Sequence, residues 1–322
     1  MDFNIEMKNK RVVVVGSYNT DLTIKTKKIP RPGETVIGGV FSRGGGGKGA
    51  NQAIAAARVG ARVSLIAKVG DDPLGKEAMA RLIEEQIDTH HMLLDPDVPT
   101  GVAFIVVDDH GENSIVVASG ANACLTPLDI EQAGETIASA KVLLVQLESP
   151  LDAVRSAISI ARSNGLVVIL NPAPAHTLDP ELLSEIDIIT PNAVEAEMLT
   201  GIKINNEESL RAAAQTLLQF GIGRVLITLG KRGVFSTTKM KTELIPAFKV
   251  LAIDSTGAGD IFNGALAAFL AEEMPIEEAA RMASAAAAIA VTRMGAQVSA
   301  PFRSEIENFV LNHVPSEIEV VG

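Results

Sequence analysis

The chain has 322 residues, 47% of them apolar and 21% charged, which is enough to bury a sizeable core and too little charge for a disordered chain. A net charge of −11 at pH 7 argues against a surface built for nucleic acid or an anionic membrane, so a polyanionic ligand must be held locally. The one cysteine, Cys124, can form no intrachain disulfide and has no metal-type spacing, which points to a reducing compartment. The opening MDFNIEMKNKR is too polar for a signal peptide, and the Ala-rich runs near Ala265 and Ala285 are interrupted before membrane-spanning length, so a cytoplasmic protein is expected.

In chain order, Arg11–Gly16 is an unbroken β-branched run closed by glycine, the pattern of a strand buried on both faces of a parallel sheet. Val63–Ala67, Val142–Leu147, Val167–Leu170, Ile186–Ile189 and Arg224–Thr228 repeat it, alternating with helical stretches at Ala50–Val59, Leu74–Ile83, Leu151–Ala161 and Leu210–Phe220. This alternation predicts βαβ crossovers and a mostly parallel sheet covered on both sides. Gly257–Glu272 and Ile276–Thr292 read as two long Ala-rich helices that pack closely. Leu22–Ser42 and Thr100–Ser119 break the rhythm and are expected to form a small separate β-sheet, with a turn at Gly111–Asn113. In Thr100–Ser119, Val102, Phe104 and Val106 face one way while Ala103, Ile105 and Val107 face the other, so each face needs a cover. The tail after about Val314 is expected to be poorly ordered.

Four clusters carry candidate chemistry. Gly44–Asn51 formally satisfies G-x-G-x-x-G, but Thr35–Phe41 before it is not a buried strand run and the next strand ends in Ala67-Lys68 rather than an acid. A phosphate loop of the Walker type fails as well, because Gly49 follows Lys48 where Ser or Thr is required. Two readings stand: a flexible loop capping a helix, or a turn whose backbone approaches a hydroxyl-rich ligand while Lys48 and Asn51 donate to it. Asn19 and Asp21 lie on one side of an extended chain and can offer an amide and a carboxylate to a vicinal diol, or can serve as turn formers. Asn192 and Glu195 fit a helix capping box; the alternative sets Glu195 near a Mg²⁺–phosphate complex through water. Gly257-Ala258-Gly259 at a helix start can aim unpaired N–H groups at a phosphate in transfer, with Asp260 beside it either as a base for an attacking hydroxyl or as a helix cap. The five histidines have no ligand spacing, and no Ser–His–Asp arrangement is supported.

Together and in this order, the motifs resemble the ribokinase family of carbohydrate kinases, within the larger phosphofructokinase-B-type group. The resemblance rests on Gly16-Ser17-Tyr18-Asn19-Thr20-Asp21, Gly47-Lys48-Gly49-Ala50-Asn51-Gln52-Ala53 and Gln146-Leu147-Glu148-Ser149-Pro150. It continues through Asn171-Pro172-Ala173-Pro174, Thr190-Pro191-Asn192, Thr228-Leu229-Gly230-Lys231-Arg232-Gly233 and Ala290–Gln297, and runs from about Val12 to Pro301. It implies one α/β domain over 1–322, a three-layer α/β/α sandwich with a small β lid, formed by about 19–42 and 100–119, over the sugar. The implied reaction is transfer from MgATP to the 5-hydroxyl of D-ribose. Asn19, Asp21, Gly47, Lys48, Gly49, Ala50, Asn51 and Glu148 would hold the sugar, Asp260 would be the base, and Gly257, Ala258 and Gly259 the anion hole. ATP would meet Asn192, the turn Thr228, Leu229, Gly230, Lys231, Arg232, Gly233, then Gly259 and Ser284. Glu195 would organise Mg²⁺, and a K⁺ site would use Asp254, Thr256, Ala290, Arg293, Gly295 and Ser299, several through carbonyls.

Two departures stand out: the extra glycines Gly44 and Gly45, expected to loosen the loop, and Ser284, where many relatives have His or Asn. The alternatives are a kinase for deoxyribose, fructose or a nucleoside, or a sugar- or nucleotide-binding regulator without catalysis. Asn19 speaks against deoxyribose, which would leave a polar group unpaired. The two-faced strand adds a further expectation, a homodimer formed through the lids.

Overall fold

The computed structural model describes residues 10–110 and 112–313; Gly111 of the expected turn and the tail from Val314 lie outside the described residues. The chain opens with β1 (Arg11–Val15), β2 (Asn19–Lys25), β3 (Val40–Gly46), α1 (Lys48–Val59), β4 (Arg62–Gly70), α2 (Pro73–Glu84) and β5 (Met92–Asp95). Then come β6 (Gly101–Val107), β7 (Asn113–Ala118), a 3₁₀ turn at Gly120–Cys124, α3 (Pro127–Gln132), α4 (Gly134–Ala138), β8 (Val142–Val145), α5 (Leu151–Ser163) and β9 (Val167–Leu170). The second half adds α6 (Pro180–Ser184), β10 (Ile188–Ile189), α7 (Ala193–Thr200), α8 (Glu207–Gln219), β11 (Arg224–Thr228), β12 (Val234–Thr237) and β13 (Thr242–Ile245). It closes with α9 (Ala258–Ala271), α10 (Ile276–Ala290) and α11 (Arg303–Asn312).

Nine strands form the main sheet in the order β13-β12-β11-β10-β9-β8-β1-β4-β5. It is parallel from β5 to β11, and the β11–β12–β13 edge is antiparallel. Both faces are buried, as unbroken aliphatic strands require. Val12 and Val14 join a core with α1, α9 and α10, whereas Val13 and Val15 join a second core with α3, α5 and α8 on the opposite side. The result is the expected three layers.

The small sheet is separate, in the order β3-β2-β6-β7, with β2 and β6 parallel. It corrects the expected boundary, because β3 runs to Gly46 and so takes in Gly44 and Gly45 as paired strand residues opposite Asp21 and Thr20. Residues 26–39 contribute no strand to it. Leu22, Phe104 and Val116 lie abreast on one face, with Ile24 and Phe41 beside them. Phe104 is 55% exposed and Val116 68%, so the described residues leave that face without a cover.

Candidate active site

The site is assembled where open α/β sheets place ligands, at the carboxyl ends of the parallel strands, here joined by the first turns of α1, α7 and α9. Beyond β1 the chain passes through Gly16–Tyr18 into β2, which sets Asn19 and Asp21 on one face. Asn19 is oriented by Asn122, a residue to which the sequence gives no role. Asn122 accepts the Tyr18 N–H (2.9 Å) and donates from Nδ2 to the Tyr18 carbonyl (2.8 Å) and to Asn19 Oδ1 (2.9 Å). Asn19 therefore has its NH₂ to present. Asp21 has no comparable support: burial, then repulsion from Glu148 and Asp260, pushes its pKa up to about 6. Its carboxylate fits only because residue 46 is glycine, since a β-carbon there would lie 2.2 Å from Asp21 Oδ1.

Glu148, following β8, anchors the glycine loop by accepting from the Ser17 hydroxyl and from the Lys48 N–H (3.0 Å). The amides of Gly49 and Ala50 are turned to Ser17, at 3.4 Å to its Oγ and 2.9 Å to its carbonyl, rather than offered to a ligand. The Lys48 ammonium is held charged chiefly by Asp260, against the cost of burial, with Glu148 and Glu195 adding to the effect. Gly47, at φ 85°, occupies the left-handed region at the start of α1.

Asp260 is 5% exposed, and its two oxygens have different donors: Gln52 Nε2 on Oδ1 (3.0 Å) and Asn51 Nδ2 on Oδ2 (2.9 Å). Asp260 does not cap its helix. The N-cap is Gly257, in the left-handed region with no side-chain cap bond. Asn51 spends one N–H on Asp260, and its buried Oδ1 has no partner, so an acceptor as well as the expected donor remains to it. The expected anion hole changes in composition. The Ala258 N–H is bonded to the Ser255 carbonyl (3.2 Å), while those of Gly257, Gly259 and Asp260 have no acceptor among the described residues.

Among the residues expected to meet ATP, Asn192 and Glu195 do form a capping box, at 2.8 and 2.9 Å, and Asn192 bridges to Thr228 beside it. Burial raises the Glu195 pKa, opposed by its bond to Asn192 and by the Lys48 charge, so the same carboxylate also lies within electrostatic reach of Lys48 and Asp260. Thr228–Gly233 forms a tight turn closed by the Leu229 N–H to the Gly233 carbonyl (2.8 Å), with Gly230, Lys231 and Arg232 as its 3₁₀ segment. The Ser284 hydroxyl is bonded to the Ala280 carbonyl of its own helix (2.8 Å).

Among the described residues no cluster of three His, Cys, Asp or Glu side chains could cage a metal. A single carboxylate with one oxygen in a capping box fits a Mg²⁺ that keeps its waters and is held mainly by phosphates. The expected K⁺ residues converge on two facing loops. Asp254 accepts from the Thr256 N–H (2.9 Å) and hydroxyl (2.6 Å) and from the Gly295 N–H (2.8 Å). Against burial, these bonds hold its carboxyl below the usual range. Arg293 reaches the Ser299 carbonyl (3.4 Å) and Glu305, and its own N–H takes the Ala290 carbonyl (2.9 Å).

Residues 9–303 match the pfkB family carbohydrate kinases. The chain belongs to that family. It is 48% identical to a ribokinase of Haemophilus influenzae over 301 residues, covering 94% of this chain and 98% of that one. It is 38% identical to a deoxyribokinase of Salmonella typhi, covering 92% and 97%. Among solved structures, an Arabidopsis thaliana ribokinase complexed with ribose and ATP superposes with a TM-score of 0.87 at 29% identity, covering 93% of this chain and 98% of that one. A pfkB-family carbohydrate kinase needs a sugar pocket, a base and an anion site in one place, and the geometry around Asp260 brings candidates for all three together.

Asp21 yields a pH-dependent prediction. Its folded pKa lies above its ordinary value, so ionising it draws stability down as pH rises from about 4 through 6. Asp21→Asn cannot ionise and should stabilise the unliganded protein by about 2–3 kcal/mol at pH 7, a gain that vanishes near pH 4. Urea denaturation at the two pH values checks this; equal stabilities at pH 7 contradict it.

Proposed function

We propose that the chain transfers the γ-phosphoryl group of ATP to the 5-hydroxyl of D-ribose. The observation that carries this reading is a buried carboxylate, Asp260, oriented by two amide donors beside the unpaired N–H groups at the start of α9. The identity to ribokinases and the likeness to a ribose–ATP complex support the choice of substrates. Asn19, through its NH₂, and Asp21, through its carboxylate, take vicinal sugar hydroxyls, leaving the primary hydroxyl for Asp260. Asp260 accepts the hydroxyl proton as the oxygen attacks the γ-phosphorus and ADP leaves. The free N–H groups of Gly257, Gly259 and Asp260, with the Lys48 charge, take up the negative charge of the transferring group. Asn192 and the Thr228–Gly233 turn flank ATP. Glu195 would hold Mg²⁺ through water, and the ion would neutralise phosphate charge. Asp254, Thr256, Ala290, Arg293, Gly295 and Ser299 would hold K⁺, whose charge would support the anion hole.

The deoxyribokinase relative raises a second substrate. Asn122 fixes the amide of Asn19 with its NH₂ free, and a sugar lacking the 2-hydroxyl would leave that donor unpaired, so ribose is preferred. The single cysteine favours a cytoplasmic enzyme, and no helix among the described residues is long and apolar enough to cross a membrane. The uncovered face of the small sheet, with Leu22, Ile24, Phe41, Phe104 and Val116, supports a homodimer in which two such sheets cover each other.

Asp260→Asn should lower turnover by ~10²-fold or more with little change in ribose affinity; a variant close to full turnover removes Asp260 from the role of base. Initial rates should be higher in K⁺ than in Na⁺ at matched ionic strength, and equal rates defeat the cation reading. Phe104→Glu should yield monomers with weakened ribose binding, because an unpaired charge in the interface costs several kcal/mol by order of magnitude. Sedimentation giving a monomeric parent at micromolar concentration, or a mutant dimer as tight as the parent, contradicts the dimer.

A further inference from the structure

Behind Asp260 lies a chain of amides that reaches no substrate surface. Gln52 is fully buried and joins α1 to the ends of two strands, β8 and β9, and to the first turn of α9. The Thr190 carbonyl, which can only accept, takes a hydrogen from Asn171 Nδ2 (3.2 Å), so Asn171 Oδ1 must face Gln52. Gln52 Nε2 donates there (3.1 Å) and to Asp260 Oδ1 (3.0 Å), and its Oε1 accepts from Gln146 Nε2 (2.6 Å). Turning Gln52 over would set its oxygen against a carboxylate and an amide oxygen, and its NH₂ against another NH₂. Its orientation is thus imposed from both ends. The Oε1 of Gln146 is left buried without a partner, so its one amide bond in this network is the one that holds Gln52.

We propose that Gln52, locked by Gln146 and Asn171, is a positioning residue for phosphoryl transfer that fixes the plane of the Asp260 carboxylate toward the attacking hydroxyl. This rests on the reading of Asp260 as the base. Asn51 alone would leave the carboxylate free to rotate about one bonded oxygen; a second donor on the other oxygen removes that freedom. The charged groups that Asp260 faces are Lys48 on α1, Glu195 on α7 and Asp21 on β2, and none of them is altered by the variants below.

Gln52→Met keeps length and volume and removes both N–H groups. Turnover per sugar-binding site should fall roughly ten- to a hundredfold, with the ribose dissociation constant within a factor of about three by calorimetry. The acidic limb of the kcat profile should move to higher pH. Gln146→Leu touches neither substrate nor Asp260; it should change kcat and the pH profile in the same direction by less, and the double variant should be no worse than Gln52→Met alone. Counting sites by ribose binding separates misfolding from slowed chemistry, and if Gln52→Met does not fold, the pH profile of Gln146→Leu decides. Unchanged turnover per site, an unshifted acidic limb in both variants, or strictly additive losses overturn the proposal. If Asp260→Asn is inactive while these variants behave as the parent, this inference fails and the base reading stands.

Discussion

Helices α1 and α9 meet at Gly264, where a β-carbon would lie 2.2 Å from the Gln52 carbonyl oxygen and 2.7 Å from Ala55 Cβ. Around this point the contact is made of small buried residues, Ala53 and Ala56 on one helix and Ala265 and Ala268 on the other. Only such an approach lets the short amides at the start of α1 reach a carboxylate on the first turn of α9. The spacing is unforgiving, because forcing one extra methyl group into a packed core typically costs about 1–3 kcal/mol and here would also draw the donors away from Asp260. Core packing and site geometry are thus one interaction, and the alanine-rich C-terminal helices of the sequence follow from it.

The site gathers Glu148, Glu195 and Asp260 around one ammonium, with Asp21 beside Glu148 and Asp260, in a chain whose formal charge is already −11. These carboxylates are not equivalent, because each has a different set of partners. Glu148 is tied to Ser17 and the loop backbone, Glu195 to its own helix terminus, and Asp260 to two amides. Asp21 alone has none, and burial with the neighbouring carboxylates raises its pKa to about 6. A polyphosphate entering so negative a place must be met largely by neutral N–H groups and by its own counter-ion, with Lys48 the one protein cation that the site gathers.

The main sheet and its covering helices are legible in the sequence because two-sided burial forces unbroken β-branched strands, and Arg11–Val15 declares itself in this way. Ile186–Ile189 is less faithful: only Ile188 and Ile189 pair, held between the ends of β9 and β11. Gly44–Gly46 read as a loop because glycine has no strand preference of its own, yet pairing with β2 makes them a strand. The edge strand β5 and the strands of the hairpin β12–β13 have four residues each, too few to show a clear period. Asp260 and the glycines before it are visible as a local motif. Asn122, Gln52, Gln146 and Asn171 are not, since each acts through a partner up to 208 residues away, and an isolated amide in sequence carries no sign of what it will face. A polar residue standing where a helix or strand end is otherwise apolar, as Gln52 does among alanines, is the one trace they leave.

The small sheet is gripped at its root, with Arg43 of β3 paired to Glu77 of α2 a short way along it. Asn122 grips the start of β2 through the Tyr18 backbone and Asn19, and Gly101 at the start of β6 packs on the same two side chains, at 2.3 and 2.4 Å from an added β-carbon. Lys25 and Val107, at the opposite end, extend away from this anchor in parallel register. Such a body behaves as a cantilever: a small flexing at the root displaces the tip most and the clamped end least. Asn19 and Asp21 lie toward the clamped end, where such flexing displaces them least.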